Sequence, residues 1–176
     1  IRGDDSGLFD MNYVTGVLTF KRAPDYETPG SAASSNAYSL TLTATDSVGN
    51  KDTTNVFIKV GDLNESPVIN MNPSISVDEN TTTVENVTVT DADAGDTVSW
   101  SLTGDDASLF DISDSGELTF KSAPDFEKPL GGYNDDSNAY SVTITATDAG
   151  GLTDATDITV NVTDITALGT GNSQSG

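Results

Sequence analysis

Residues 138–151 read NAYSVTITATDAGG, and residues 36–49 read NAYSLTLTATDSVG. Tyr140, Val142, Ile144 and Ala146 alternate with Ser141, Thr143, Thr145 and Thr147, and Tyr38, Leu40, Leu42 and Ala44 repeat the pattern. Alternation of this kind puts one side of a strand in a core and the other in water. Threonine and valine suit such a pleated, half-buried surface. Both runs end in Ala-x-Asp followed by a glycine turn, which is turn chemistry with a mechanism.

Outward from these runs the two copies keep matching. Residues 3–63 contain GDDSGLFD, GVLTFKRAPDYETP and VFIKVGDL, and residues 104–165 contain GDDASLFD, GELTFKSAPDFEKP and ITVNVTDI. The copies lie roughly a hundred residues apart, the size of a small domain and well beyond a solenoid unit. In the second copy, alternation and turn signals predict strands at 73–78, 84–90, 97–103, 109–112, 117–121, 138–147 and 155–163. About seven such strands make an immunoglobulin-like Greek-key sandwich, read here as all-β and antiparallel. The first copy has no counterpart of residues 67–101, so it is expected to lack about three strands. The predicted organisation is a partial repeat at 1–61, a linker at 62–67, a complete repeat at 68–165 and a flexible tail at 166–176. Opening mid-pattern at Ile1, the chain is read as cut from a longer protein. Half the core partners of Phe9, Leu18, Phe20, Tyr38 and Leu42 are then missing. The partial repeat is expected to be disordered, to pack on the second repeat, or to borrow strands from another copy.

The net charge is −21, from 28 acidic and 7 basic residues, with no cysteine and no histidine. Such a charge repels nucleic acid and anionic membranes and favours divalent cations. Disulfides and the commonest ligands of zinc, copper and iron are absent. No apolar run approaches the length of a membrane span.

The acids recur with the repeat. Val77-Asp78-Glu79-Asn80, Asp91-Ala92-Asp93, Asp25-Tyr26-Glu27, Ala44-Thr45-Asp46, Ala146-Thr147-Asp148 and Asp62-Leu63-Asn64-Glu65-Ser66-Pro67 stand in fixed order. In that order and spacing the motifs resemble the calcium motifs of cadherin repeats, over about residues 3–165. The threonine-rich strands look like the bacterial cadherin-like domains of secreted adhesins and polysaccharide-associated proteins. Calcium needs six to eight oxygen ligands, more than any single loop here carries. The resemblance implies that the base of one repeat, the linker and the top of the next act together. It assigns Asp25, Glu27, Asp62, Asn64, Glu65, Asp91, Asp93 and Asp148 to the metal. It also implies an outer site of Asn64, Asp91, Asp93 and Asp148, and inner sites weakened because the first repeat has no counterpart of Glu79. Glu79, Asp125, Glu127 and Asp164 form a second, partial metal site, because Asp164-Ile165-Thr166 lacks the asparagine and second acid of the linker motif. The function implied is a calcium-dependent structural and adhesive module of a secreted or cell-surface protein, made rigid by calcium between repeats. Its partners would be calcium, adjacent repeats of the parent protein and another cell-surface protein.

Other readings of the residues are weaker. Paired carboxylates can hydrolyse glycosides, but these acids are duplicated, and no enzyme is expected. A calcium-dependent polysaccharide-binding module is the alternative, with Tyr133 as an exposed aromatic. Trp100 falls in the inward register of its strand. Arg2-Gly3-Asp4 is an integrin-type tripeptide, yet Gly104-Asp105 repeats its last two residues as part of the fold. Asn64, Asn80, Asn86 and Asn161 head glycosylation sequons that are read as unmodified.

Overall fold

The computed structural model describes residues 1–129 and 137–165, divided between two units, Ile1–Leu63 and Asn64–Gly176. The expected flexible tail and Tyr133 lie outside the described residues. The first unit contains β1 (Phe9–Met11), β2 (Leu18–Phe20), β3 (Ala37–Thr45) and β4 (Lys51–Lys59). β1 pairs with β2, and β3 pairs with β4, both antiparallel. Arg2 adds an isolated bridge to Thr41.

The second unit begins with β5 (Val68–Asn70), β6 (Ser74–Asp78), β7 (Thr83–Asn86) and β8 (Thr88–Thr90). It continues with β9 (Ser99–Thr103), β10 (Phe110–Ile112), β11 (Glu117–Phe120), β12 (Ala139–Thr147) and β13 (Thr153–Thr163). One sheet runs β6-β13-β12-β9, a second runs β10-β11-β7, and β5 pairs with β8. The architecture is the expected all-β immunoglobulin-like sandwich. Its inner faces carry Ile75, Val77, Val84, Phe110, Leu118, Phe120, Tyr140, Val142, Ile144, Ile158 and Val160, all buried.

Three details differ from the sequence reading. First, the pairing is not wholly antiparallel: β6 lies parallel to β13, from Ser74 opposite Thr159 to Asp78 opposite Thr163. The first strand enters beside the last, and the chain passes through the whole sandwich between them, so no hairpin constrains their directions. Second, the opening strand is split. Val68–Asn70 pairs with Thr88–Thr90, and after Asn72-Pro73 the chain moves to β13, where Thr159 N donates to the Pro73 carbonyl at 2.8 Å. Third, the run expected at 84–90 breaks at Val87, whose N–H donates to the Gly116 carbonyl at 2.9 Å. Gly116 holds φ +85°, and a Cβ there would sit 2.4 Å from the Val87 carbonyl oxygen. Only glycine allows that approach.

Each unit carries its own aromatic nucleus, built from matching residues. Phe9, Phe20 and Tyr38 pack with ring centroids 4.3, 5.1 and 6.0 Å apart, and Phe110, Phe120 and Tyr140 with centroids 4.3, 5.3 and 6.3 Å apart. Each nucleus is tied by a buried aspartate. Asp5 accepts from Ala32 N at 2.7 Å and Ser39 N at 2.8 Å, and Asp106 accepts from Ser141 N at 2.7 Å. Backbone donors offset the cost of burying a carboxylate, on both oxygens of Asp5 and on Oδ2 of Asp106, whose Oδ1 has no partner among the described residues. Beyond this nucleus the units diverge. Leu118, Ile144, Ile158 and Val160 are fully buried, whereas their counterparts Leu18, Leu42, Val56 and Ile58 are only half-buried. In the second unit the same wall is closed by β6 and the segment after it. Phe120 N donates to Thr82 O at 2.7 Å, and Asn80 N donates to Pro124 O at 2.8 Å. In the first unit Phe20, Ala23, Pro24 and Tyr38 instead line an open groove of about 550 Å³.

Leu118→Ala should therefore cost about 2–5 kcal/mol, and Leu18→Ala, at the matching position, less than half as much. Hydrogen exchange read separately on β12–β13 and β3–β4 checks this. Equal protection of the two ladders in a monomeric sample would contradict it.

Candidate functional site

β12 ends in Thr147, and the chain turns at once, delivering Asp148 to the end of the second unit. Asp148 is buried, with 5% of its surface exposed. Its Oδ1 accepts from Leu152 N at 2.7 Å, and its Oδ2 accepts from the Asn64 carboxamide at 2.8 Å. β8 ends at Thr90 and supplies the neighbouring acids. Asp91 Oδ1 accepts from Asp93 N at 3.0 Å, while its Oδ2 is buried without a hydrogen-bond partner among the described residues. Carboxylate oxygens of Asp91, Asp96 and Asp148 lie within 4.8 Å of one another. Asp93 turns to Glu65 instead. Its Oδ2 accepts from Glu65 N at 2.9 Å, and the two carboxylates also come within 4.8 Å.

Sequence motifs missed Asp96. It stands outside Asp91-Ala92-Asp93, and a turn in which Asp96 N donates to Asp93 O at 3.1 Å brings it round. The signal available was Gly95, whose φ of +92° makes the turn.

At the other end of the second unit Glu79 is buried, its Oε2 accepting from Phe126 N at 3.0 Å and its Oε1 from Ile165 N at 3.2 Å. Asp125 and Glu127 are exposed and come within 4.8 Å of it. Asp125 also accepts from Lys128 N at 3.0 Å. Asp164 is exposed and stays outside that trio. In the first unit Glu27 and Asp62 are exposed with carboxylates within 4.8 Å of each other. Asp25 accepts from Thr28 N at 2.9 Å.

The donor set fits a hard divalent cation. Every candidate ligand is an oxygen, as calcium prefers, and none is a nitrogen base or thiolate. Asp91 Oδ2, buried and without a partner among the described residues, weighs in the same direction. Close carboxylates repel, and a buried anionic oxygen with no donor is costly; a cation removes both penalties. Trp100 is partly buried against the core, in line with the inward register of its strand.

Residues 73–163 match the family model described as the cadherin domain. The chain is 36% identical over 132 residues to protocadherin Fat 4 of Mus musculus and 33% identical over 132 residues to protocadherin Fat 4 of Homo sapiens. Each alignment covers 70% of the chain but 2% of the relative's length. Among solved structures, mouse cadherin-23 EC22-24 superposes with a TM-score of 0.62 at 27% identity, covering 92% of this chain and 51% of that one. Human protocadherin-24 EC1-2 superposes with a TM-score of 0.65 at 22% identity, covering 93% and 80%, a likeness of fold.

Two carboxyls of the site loops are held acidic. Burial alone would push Asp148 up, but the Asn64 carboxamide and the N–H groups of Leu152, Gly151 and Gly150 outweigh it and hold it below 3.8. Asp46, the matching residue of the first unit, is lowered by the Asn50 side chain and by backbone N–H groups of Asn50, Val48 and Gly49. A depressed folded-state pKa stabilises the protein above the unfolded value of about 3.9, and this contribution disappears as pH falls through the lower folded value. An NMR titration without divalent metal should find both midpoints below 3.8. Asn50→Ala should move Asp46 upward and leave Asp148 in place; a midpoint for Asp46 unmoved by that change would overturn the assignment.

Proposed function

Because the chain belongs to the cadherin domain family, we propose that it is a calcium-dependent adhesion and spacer module of a secreted or cell-surface protein, in which calcium fixes one repeat to the next. The family's domains are not catalytic modules, and no reaction is assigned. The observation that carries the reading is the cluster of Asp91, Asp96 and Asp148 carboxylates within 4.8 Å of one another, in which Asp91 Oδ2 is buried without a hydrogen-bond partner among the described residues. Bound calcium would supply positive charge and oxygen coordination at that point. Asp91, Asp93, Asp96, Asp148 and Asn64 would hold it from the second unit, and Asp25, Glu27, Asp62 and Glu65 would contribute to the inner positions. Glu79, Asp125, Glu127 and Asp164 would serve a following repeat. No helix among the described residues is long and apolar enough to cross a membrane. The threonine-rich strands are what favour a bacterial surface protein as the parent; both Fat 4 relatives are animal proteins.

Calorimetry should show binding with dissociation constants of about 10⁻⁴–10⁻³ M, the range of extracellular modules. Calcium should also raise the melting temperature by mass action, since it binds the folded form. No heat with millimolar calcium would sink the reading. Small-angle scattering should show the chain stiffening with calcium, and an unchanged profile would argue against a spacer role. Asp93→Ala should remove most of the calcium-dependent stabilisation and Glu27→Ala less, because Asn64, Asp91, Asp93 and Asp148 of the outer set all lie in the second unit, whereas Glu27 belongs to the inner positions. A larger loss for Glu27→Ala would reverse that order.

A further inference from the structure

The two Ala-Thr-Asp loops have the same backbone but different lids. In both, the aspartate Oδ1 accepts the N–H four residues on: Leu152 N to Asp148 at 2.7 Å, and Asn50 N to Asp46 at 2.8 Å. The other oxygen is treated differently. Asp46 Oδ2 takes the side chain of Asn50, within its own loop, at 2.7 Å. Asp148 Oδ2 takes the side chain of Asn64, from 84 residues away, at 2.8 Å. Leu152 stands where Asn50 stands, and its side chain has no donor to offer.

Room is the second difference. A Cβ on Gly150 would lie 2.5 Å from Asn64 Oδ1, 2.6 Å from its Cγ and 2.7 Å from its Nδ2. The Asn64 carboxamide therefore rests on the bare Cα of Gly150. The need is steric, because Gly150 is absent from the positive-φ glycines, whereas its neighbour Gly151 has φ +90°. At the matching place in the first unit stands Val48, 81% exposed.

We propose that Gly150 and Leu152 are positioning residues that make the Asp148 loop a seat for Asn64, and that Val48 and Asn50 close the Asp46 loop to any such partner. The chain thus carries one loop open to an incoming asparagine and one sealed by its own. The seat itself stands on the geometry of the two loops, and its consequence for metal binding rests on the calcium reading. Asn64 is one of the ligands assigned above, and with Gly150 bare and Leu152 apolar it is held at the site before any ion arrives. Pre-orientation of a ligand lowers the ordering cost of binding.

The experiment uses the whole chain and two variants, Gly150→Val and Leu152→Asn. The first fills the seat. The second provides a rival donor at a position already 43% exposed, so folding is preserved even where the first variant fails. In calcium-free wild type, NMR should give the Asn64 side-chain amide a dispersed shift and contacts to the Gly150 Hα protons. Both variants should return it toward the shift of a free asparagine. Calcium affinity by calorimetry should fall about tenfold in each, with strand amides unmoved. Asn50→Ala should leave affinity at the Asp148 loop as in wild type. An Asn64 amide unaffected by both variants would overturn the proposal whatever calcium does. A wild type that seats Asn64 but gives no calcium heat would overturn the calcium reading and leave the seat standing. Wild-type affinity in Leu152→Asn, with Asn64 displaced, would overturn the link between them.

Discussion

β12 pairs with β13 at nine positions and with β9 at five, and the register of those ladders decides which side chains can meet. Tyr140, Val142, Ile144 and Ala146 face the core and are buried to the last atom or nearly so. A slip of one residue would turn all four outward, because successive side chains point to opposite faces. The same slip would carry Asp148 away from Asn64 and Asp91. Core and site are therefore specified by one constraint. The buried Asp106, bound to Ser141 N near the head of β12, helps to pin that register.

The first unit separates pairing from burial. β3 and β4 also pair at nine positions, so the backbone ladder is as long there as between β12 and β13. Yet Val56, Ile58 and Val60 keep part of their surface in water, while Ile158, Val160 and Val162 lose almost all of theirs. Ladder hydrogen bonds exchange for bonds to water and contribute little net. Removing apolar area from water contributes more, and that burial is what the first unit lacks. Phe57, 78% exposed, lies on the outer face of the same strand, where the second unit has the exposed Thr159.

What the sequence carried was whatever repeats locally. Alternation marked β12 and β13 almost to the residue, and motif order brought Asp91 and Asp148 together as candidates. Pairings decided far along the chain were not legible. Val68–Asn70 is too short to show a period and becomes a strand only because Thr88–Thr90 receives it. The parallel direction of β6 leaves no mark on its own residues. Asp96 reads as a turn acid until the turn closes, and Asp106 reads as a surface acid until Ser141 reaches it. The lid on each aspartate was hidden for a plainer reason. Asn50 and Leu152 are single residues in otherwise matching loops, and Gly150 reads like any turn glycine until Asn64 is seen lying on it.

The parallel contact between β6 and β13 has a mechanical meaning. These strands are neighbours, and they stand near the two ends of the second unit's described chain, Ser74–Asp78 early and Thr153–Thr163 late. Tension applied along the chain pulls the start of β6 one way and the end of β13 the other. Five paired positions, extended by the Thr159–Pro73 and Glu79–Thr163 bonds at 2.8 and 3.0 Å, then share the load in shear. They must fail together, unlike a hairpin, which opens one bond at a time. Resistance to force is governed by the unfolding rate and not by equilibrium stability. A short, side-by-side clamp is thus enough to hold the ends of the domain under pull.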